Sequence, residues 1–104
     1  MNEPRVVNVA SQREEYDVYV GRPGRWGNPF YISKDNTRDS VIAQYRDFLS
    51  RQPGLVARVQ HELKGKTLAC WCAPKACHAD ILLKVANDPR TVDEVLTALT
   101  RGEI

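Results

Sequence analysis

The order of strand and helix patterns along the chain is the feature that most limits how it can fold. A β-rich run at residues 5–9 (RVVNV) and an alternating run at residues 16–20 (YDVYV) predict two strands. Two helical patterns follow before a third strand run at residues 67–71 (TLACW). A helical crossover between strand runs favours parallel pairing, because the chain must cross the sheet before it can run again in the same direction.

Four helices are predicted around these strands. The first begins after N-cap candidates at residues 35–37 and carries one apolar stripe. Residues 52–54 (QPG) end it, and a second, shorter helix follows over residues 55–63. The third begins at His78 or its neighbour, and the fourth, residues 91–102, starts with a capping box and ends at a glycine.

This order of elements predicts an α/β fold. We expect a small Rossmann-like sandwich in one domain over residues 1–104, with about three or more strands and about four helices. The run at residues 67–71 is expected at the centre of the sheet. Helices on both faces or on one face are both compatible with the pattern. The segment between the first two strands is short enough for a hairpin or an irregular turn.

The charge balance argues against a dedicated DNA-binding protein. The chain has 15 Lys+Arg against 13 Asp+Glu, a net charge of +2, which is too small for tight nonspecific binding to DNA. No apolar run approaches the ~20 residues of a membrane span, and the first residues lack the apolar core of a signal peptide. We therefore expect no membrane partner and a cytoplasmic location, or the host cytoplasm for a phage protein, where thiols stay reduced.

All three cysteines fall close together, in the segment of residues 70–78 (CWCAPKACH), which we call the CWC loop. Residues two apart on a strand share a face, so Cys70 and Cys72 are expected to point together. Cys77 and His78 lie at the predicted start of a helix. Unpaired N–H groups there favour an anion and lower the pKa of a thiol.

Three interpretations of the CWC loop stay open. The first is a tetrahedral zinc site with four ligands, Cys70, Cys72, Cys77 and His78, although their spacing departs from the usual one. The second is catalysis, with Cys77 as nucleophile or His78 as acid–base group and Asp80 placed to orient the imidazole. The third is that Cys70 is simply a core residue, because cysteine is among the most buried residue types.

A second polar segment, residues 21–30 (GRPGRWGNPF), is called the WGNP loop. Its two prolines and three glycines exclude helix and regular strand. Arg22 and Arg25 offer forks for phosphate or carboxylate, Trp26 can stack on a base, and Asn28 presents a donor and an acceptor. The alternative is that Trp26 and its neighbours cap the core.

Both loops follow predicted strands, and ligands of open α/β sheets bind beyond the carboxyl ends of the strands. The two loops are therefore expected to form one site. In it, Trp26 or Trp71 would stack on a flat ring, while Lys75 would add positive charge beside Cys72. The anionic part of the ligand would lie at the helix start near His78.

The two loops together resemble the family of domain of unknown function 4326. The motifs that carry the resemblance are WGNPF at residues 26–30 and CWCAPKACHAD at residues 70–80. The resemblance spans about residues 5–86 and leaves the final helix, residues 91–102, as a packing addition. It implies relatives in bacteria and bacteriophages, and it implies a site without naming a substrate. The residues of that implied site are Trp26, Asn28, Cys72, Cys77, His78 and Asp80.

These observations favour a domain that binds a nucleotide, nucleoside or related phosphate-bearing ligand, with or without a reaction that the sequence leaves unspecified. The alternative is a zinc-stabilised accessory module that binds nucleic acid or a protein partner. For a phage protein, the partner would be a host protein. That host protein would dock on an apolar surface formed by Trp26, Phe30 and the last helix.

Overall fold

A computed structural model describes residues 3–11 and 15–104. Within these residues, three strands and four helices follow the predicted order. The strands are β1 (Val6–Asn8), β2 (Val18–Tyr19) and β3 (Leu68–Cys70). The helices are α1 (Arg38–Ser50), α2 (Pro53–Glu62), α3 (His78–Ala86) and α4 (Val92–Thr100).

The three strands form one parallel sheet in the order β1-β3-β2, which confirms the predicted α/β class and the central position of the third strand. In the register of the sheet, Leu68 is opposite both Val6 and Val18. Of the two options for the connection between the first two strands, the hairpin is wrong, because β3 lies between these strands and both run parallel to it. Residues 12–14 of that connection lie outside the described residues.

The helix ends follow local capping chemistry. The α2 helix begins at Pro53 rather than at residue 55, because proline is suited to the first helical position, where its missing N–H has no intrahelical partner. The predicted capping box of α4 is confirmed: the Thr91 hydroxyl accepts from the Glu94 N–H, and the Glu94 carboxylate accepts from Thr91. In the described ranges, no helix is long and apolar enough to cross a membrane.

The helices pack as one group over the sheet. The first three contact one another pairwise, and α4 packs against α1 and α2. The four helices therefore form one connected group. β3 is buried along its whole length, and α3 lies against it. The buried centre includes Tyr45, Leu68 and Leu82. The polar loops are therefore left at the ends of the strands.

Candidate functional site

A pocket of about 380 Å³ lies beyond the carboxyl ends of β2 and β3. Its walls come from the WGNP loop, the first turns of α1 and the CWC loop. The two loops singled out in the sequence therefore meet in one place, as parallel strands require. Of the predicted site residues, the pocket is lined by Arg22, Asn28, Cys70, Trp71, Cys72, Cys77 and His78. The remaining predicted residues, Arg25, Trp26, Lys75 and Asp80, are not among its lining residues.

Trp26 lies in the core and not in the pocket. Only 8% of the residue is exposed, and its backbone carbonyl accepts a hydrogen bond from the Tyr45 hydroxyl at 3.2 Å. Its neighbour Arg25 turns outward, where Nη1 lies 3.6 Å from Oε1 of Glu62. Of the two interpretations of Trp26, the structure supports the core cap and not the stacking surface. Burial of the large apolar indole is more favourable than its exposure to water.

Asn28 fastens the WGNP loop to α1. Its Nδ2 donates to the carbonyl of Val41 at 3.2 Å, and its Oδ1 accepts from the Phe30 N–H at 2.9 Å. The residue is buried, so these bonds satisfy polar groups that water cannot reach. Asn28 thereby fixes the wall of the pocket that it lines.

Trp71 stands at the rim of the pocket with 65% of its surface exposed. Its Nε1 donates to the Tyr19 hydroxyl at 3.1 Å, and that hydroxyl donates to the Arg22 carbonyl at 2.8 Å. Two more exposed apolar side chains, Tyr31 and Ile32, line the same pocket. Large exposed apolar groups gathered at one pocket are typical of a binding surface.

Two guanidinium groups give the pocket a positive character. The Cζ atom of Arg22 lies 3.7 Å from the centre of the Tyr31 ring, and Nη1 of Arg38 donates to the Ala76 carbonyl at 3.1 Å. Among the described residues that line the pocket there is no Asp or Glu. Lys75 is exposed nearby without lining it. The lining is therefore suited to an anion.

The three cysteines form a cluster in the pocket wall, here called the thiol cluster. Their sulfur atoms all lie within 4.8 Å of one another, and the Sγ atoms of Cys70 and Cys77 are 3.1 Å apart. The hydrogen bond from Cys77 lowers the pKa of Cys70 to about 6, and it raises the pKa of Cys77. The two thiols therefore share one hydrogen bond and do not lose their protons independently.

His78 lies apart from the thiol cluster, so the predicted set of four zinc ligands is not assembled. Its Nε2 lies 2.7 Å from the Val20 carbonyl, and its ring packs edge-on against Tyr45 at 5.1 Å between centroids. A carbonyl only accepts, so Nε2 donates and carries a proton. Burial lowers the pKa of His78, which keeps the ring neutral and holds it toward β2.

The backbone N–H at the start of α3 has a hydrogen-bond acceptor within the helix itself. Oδ2 of Asp80 accepts from the Cys77 N–H at 3.0 Å, and Cys77 is the N-cap residue. Asp80 is therefore a capping residue rather than a group that orients the His78 imidazole. Its own carboxylate already occupies the position that we expected for the anionic part of a ligand.

Comparison with known proteins identifies the family. The family described as Domain of unknown function (DUF4326) matches residues 7–88. The chain belongs to this family. A relative of this DUF4326 chain is an uncharacterised 12.4 kDa protein from the nrdA-td intergenic region of Enterobacteria phage T4, 37% identical over 87 residues that cover 80% of this chain and 77% of the relative. No solved structure matches this chain.

Sequence reasoning missed several residues around the pocket of this DUF4326 protein, and four of them carry polar side-chain groups. Tyr31 and Arg38 line it, and Tyr19 holds Trp71. Asn8, the last residue of β1, donates through Nδ2 to the carbonyls of Trp71 and Ala73 at 3.1 and 2.9 Å. Asn8 had a usable signal, because a polar residue at the carboxyl end of a parallel strand is well placed to support a site.

Acid is expected to destabilise the protein through His78. The pKa of this histidine is lowered by burial and by the charge of Arg22, while the carbonyls around it and Asp80 oppose the shift. The unfolded chain, with a histidine pKa of about 6.5, then binds more protons than the folded one. The contribution to stability is complete above pH ~6.5 and is lost as the pH falls below it.

Urea unfolding of reduced, metal-free protein at pH 7.5 and pH 5.5 measures this effect. The His78→Gln variant should lose part of the pH dependence seen in the unchanged chain. His61→Gln removes an exposed histidine on α2 and should retain it. An identical pH dependence in the unchanged chain and in His78→Gln would contradict the prediction.

Proposed function

We propose that the pocket binds a small phosphate-bearing ligand with a planar ring, and that a nucleotide is the class that fits best. One observation carries the proposal: two arginines and an exposed indole line the same pocket of about 380 Å³, with no carboxylate among its described lining residues. The volume is in the range of ordinary small-molecule sites. Its position beyond the carboxyl ends of parallel strands supports the same function.

The phosphate is assigned to the arginines. Arg22 and Arg38 come from two different elements, one from the WGNP loop and one from the first residue of α1. A guanidinium group presents two parallel N–H donors to a phosphate and keeps its charge at every physiological pH. The start of α3 is the less suitable place, because Asp80 already accepts the N–H at its mouth.

The planar ring is assigned to the rim. Trp71 is exposed, yet Tyr19 holds its Nε1, so little conformational entropy is lost when a ring stacks on it. Tyr31 lies across the rim beneath the Arg22 guanidinium. Stacking of a base on an aromatic side chain contributes about 1–3 kcal/mol.

A docked macromolecule is supported less well. The apolar surface expected for a host protein included Trp26, Phe30 and the last helix. Trp26 is buried, the Phe30 ring packs edge-on against Phe48 at 6.4 Å, and α4 packs against α1 and α2. The low net charge also argues against nucleic acid.

Calorimetry on the reduced, metal-free full chain tests the proposal. The probes are the four nucleoside monophosphates, the matching nucleosides, ribose 5-phosphate and inorganic phosphate. At least one monophosphate is expected to bind more tightly than its nucleoside and than ribose 5-phosphate, because only the nucleotide engages both arginines and indole. Arg22→Ala and Arg38→Ala should each weaken binding about ten-fold, the loss of roughly one charge-assisted hydrogen bond.

Arg101→Ala is the matched control, because this exposed arginine at the end of α4 does not line the pocket. It should leave the affinity unchanged. The proposal fails if no probe binds to folded protein, or if Arg101→Ala weakens binding as much as the two pocket variants.

A further inference from the structure

The thiol cluster is built from two different elements. Cys70 is the last residue of β3, Cys72 follows two positions later, and Cys77 is the N-cap residue of α3. The fold brings the third sulfur back to the first two, so that the Sγ atoms of Cys70 and Cys77 are 3.1 Å apart. All three cysteines also line the pocket. The cluster is therefore both compact and reachable from the pocket.

The spacing of the sulfur atoms is close to that of a metal site. A zinc–thiolate bond is about 2.3 Å long, so two thiolates on one tetrahedral ion lie about 3.8 Å apart. The observed separations extend from 3.1 Å to no more than 4.8 Å, on both sides of that value. Shifts of about 1 Å or less would bring the three sulfurs around one ion.

Backbone N–H groups already point at the sulfurs. Those of Cys72 and Ala73 are directed toward the Cys70 sulfur, and that of Ala79 toward the Cys77 sulfur. Donors of this kind stabilise negative charge on sulfur, and they orient the ligands of metal sites. Burial opposes that charge at both Cys70 and Cys77, so a bound cation would be needed to hold all three sulfurs as thiolates.

We infer that Cys70, Cys72 and Cys77 bind one thiophilic metal ion, Zn²⁺, as three thiolates, with the fourth coordination position open to the pocket. The thiol protons leave to solvent when the ion binds. His78 does not fill the fourth position, because neither of its ring nitrogens joins the three sulfurs in the group of ligand atoms that lie within 4.8 Å of one another. Three protein ligands with one open position are the arrangement of reactive zinc sites, whereas structural sites are closed by four.

Metal titration of the reduced full chain tests this inference without any knowledge of the pocket's organic ligand. Zn²⁺ added in competition with a chromophoric chelator should bind at one ion per chain. Co²⁺ should give the sulfur-to-cobalt charge-transfer absorption of thiolate ligands and the visible bands of a tetrahedral ion. Added azide should then alter the visible bands, because it can enter an open position.

Two variants separate the ligands from their neighbours. Cys72→Ser removes the half-buried member of the cluster and should weaken Zn²⁺ binding at least ~100-fold, beyond the 10–100-fold effect of losing an outer partner. His78→Gln should keep one-to-one binding and the azide response. Circular dichroism confirms that each variant is folded.

The inference is overturned by any of three results: no stoichiometric metal in the reduced protein, equal affinity in folded Cys72→Ser, or loss of the site in folded His78→Gln. Nucleotide binding is measured on metal-free protein, so the two proposals can fail separately.

Discussion

Replacing Tyr45 with alanine is expected to lower the free energy of unfolding by about 3–5 kcal/mol, the range for removal of a large buried ring. Tyr45 has no exposed surface. Its ring contacts those of His78 and Phe48, and its hydroxyl donates to the carbonyl of Trp26. The residue thus joins α1 to both loops of the pocket. Urea unfolding followed by circular dichroism measures the loss.

Tyr45→Phe separates the ring from the hydroxyl. It keeps the aromatic packing and removes a single hydrogen bond, so the expected loss is about 1 kcal/mol. The carbonyl of Trp26 is the group left without that donor. A loss in Tyr45→Ala no larger than that in Tyr45→Phe would show that the ring does not hold α1 to the loops.

Asn28→Ala is expected to cost about 2–3 kcal/mol, because it removes one buried and one partly buried hydrogen bond at once. The Phe30 N–H would lose its acceptor and the Val41 carbonyl would lose a donor. The WGNP loop would then be free to move away from α1. Ligand affinity should fall together with stability, since Asn28 also lines the pocket.

Asn87→Ala is the matched control for this change. Asn87 also makes two side-chain hydrogen bonds to the backbone, to Gly65 and to Leu83, but it is exposed. Water can replace both bonds there, so the expected loss is below about 1 kcal/mol. Equal losses in the two variants would mean that burial does not set the value of the Asn28 contacts.

The parts of the fold that follow from local chemistry could be predicted. The run at residues 67–71 predicted a central strand. A strand that is apolar along its whole length is expected to be buried on both faces, as in the middle of a parallel sheet. The capping box at Thr91 marked the start of α4. The meeting of the two polar loops also followed, because parallel strands deliver their carboxyl ends to one edge of the sheet.

The direction of individual side chains could not be predicted, since tertiary packing decides it. From the sequence, Trp26 could either stack on a ligand or cap the core. It caps the core, and its backbone carbonyl is bound there by Tyr45 of α1. The carbonyl that holds His78 belongs to Val20, which follows β2 and lies 58 positions earlier in the chain, so the orientation of His78 has no local signal. Arg38 reaches the pocket because α1 begins there, which depends on how the helix is placed and not on its pattern.

The strand order also sets when the pocket can form during synthesis. β1 and β2 do not pair with each other. Each pairs with β3, which comes much later in the chain, at Leu68–Cys70. Pairings between residues so distant along the chain cannot form until both partners have been made. During synthesis on the ribosome, the first two strands therefore cannot form the sheet, and the WGNP loop cannot form the pocket, until the segment that carries β3 and the cysteines has been made. Sheet, pocket and thiol cluster are completed by the same stretch of nascent chain.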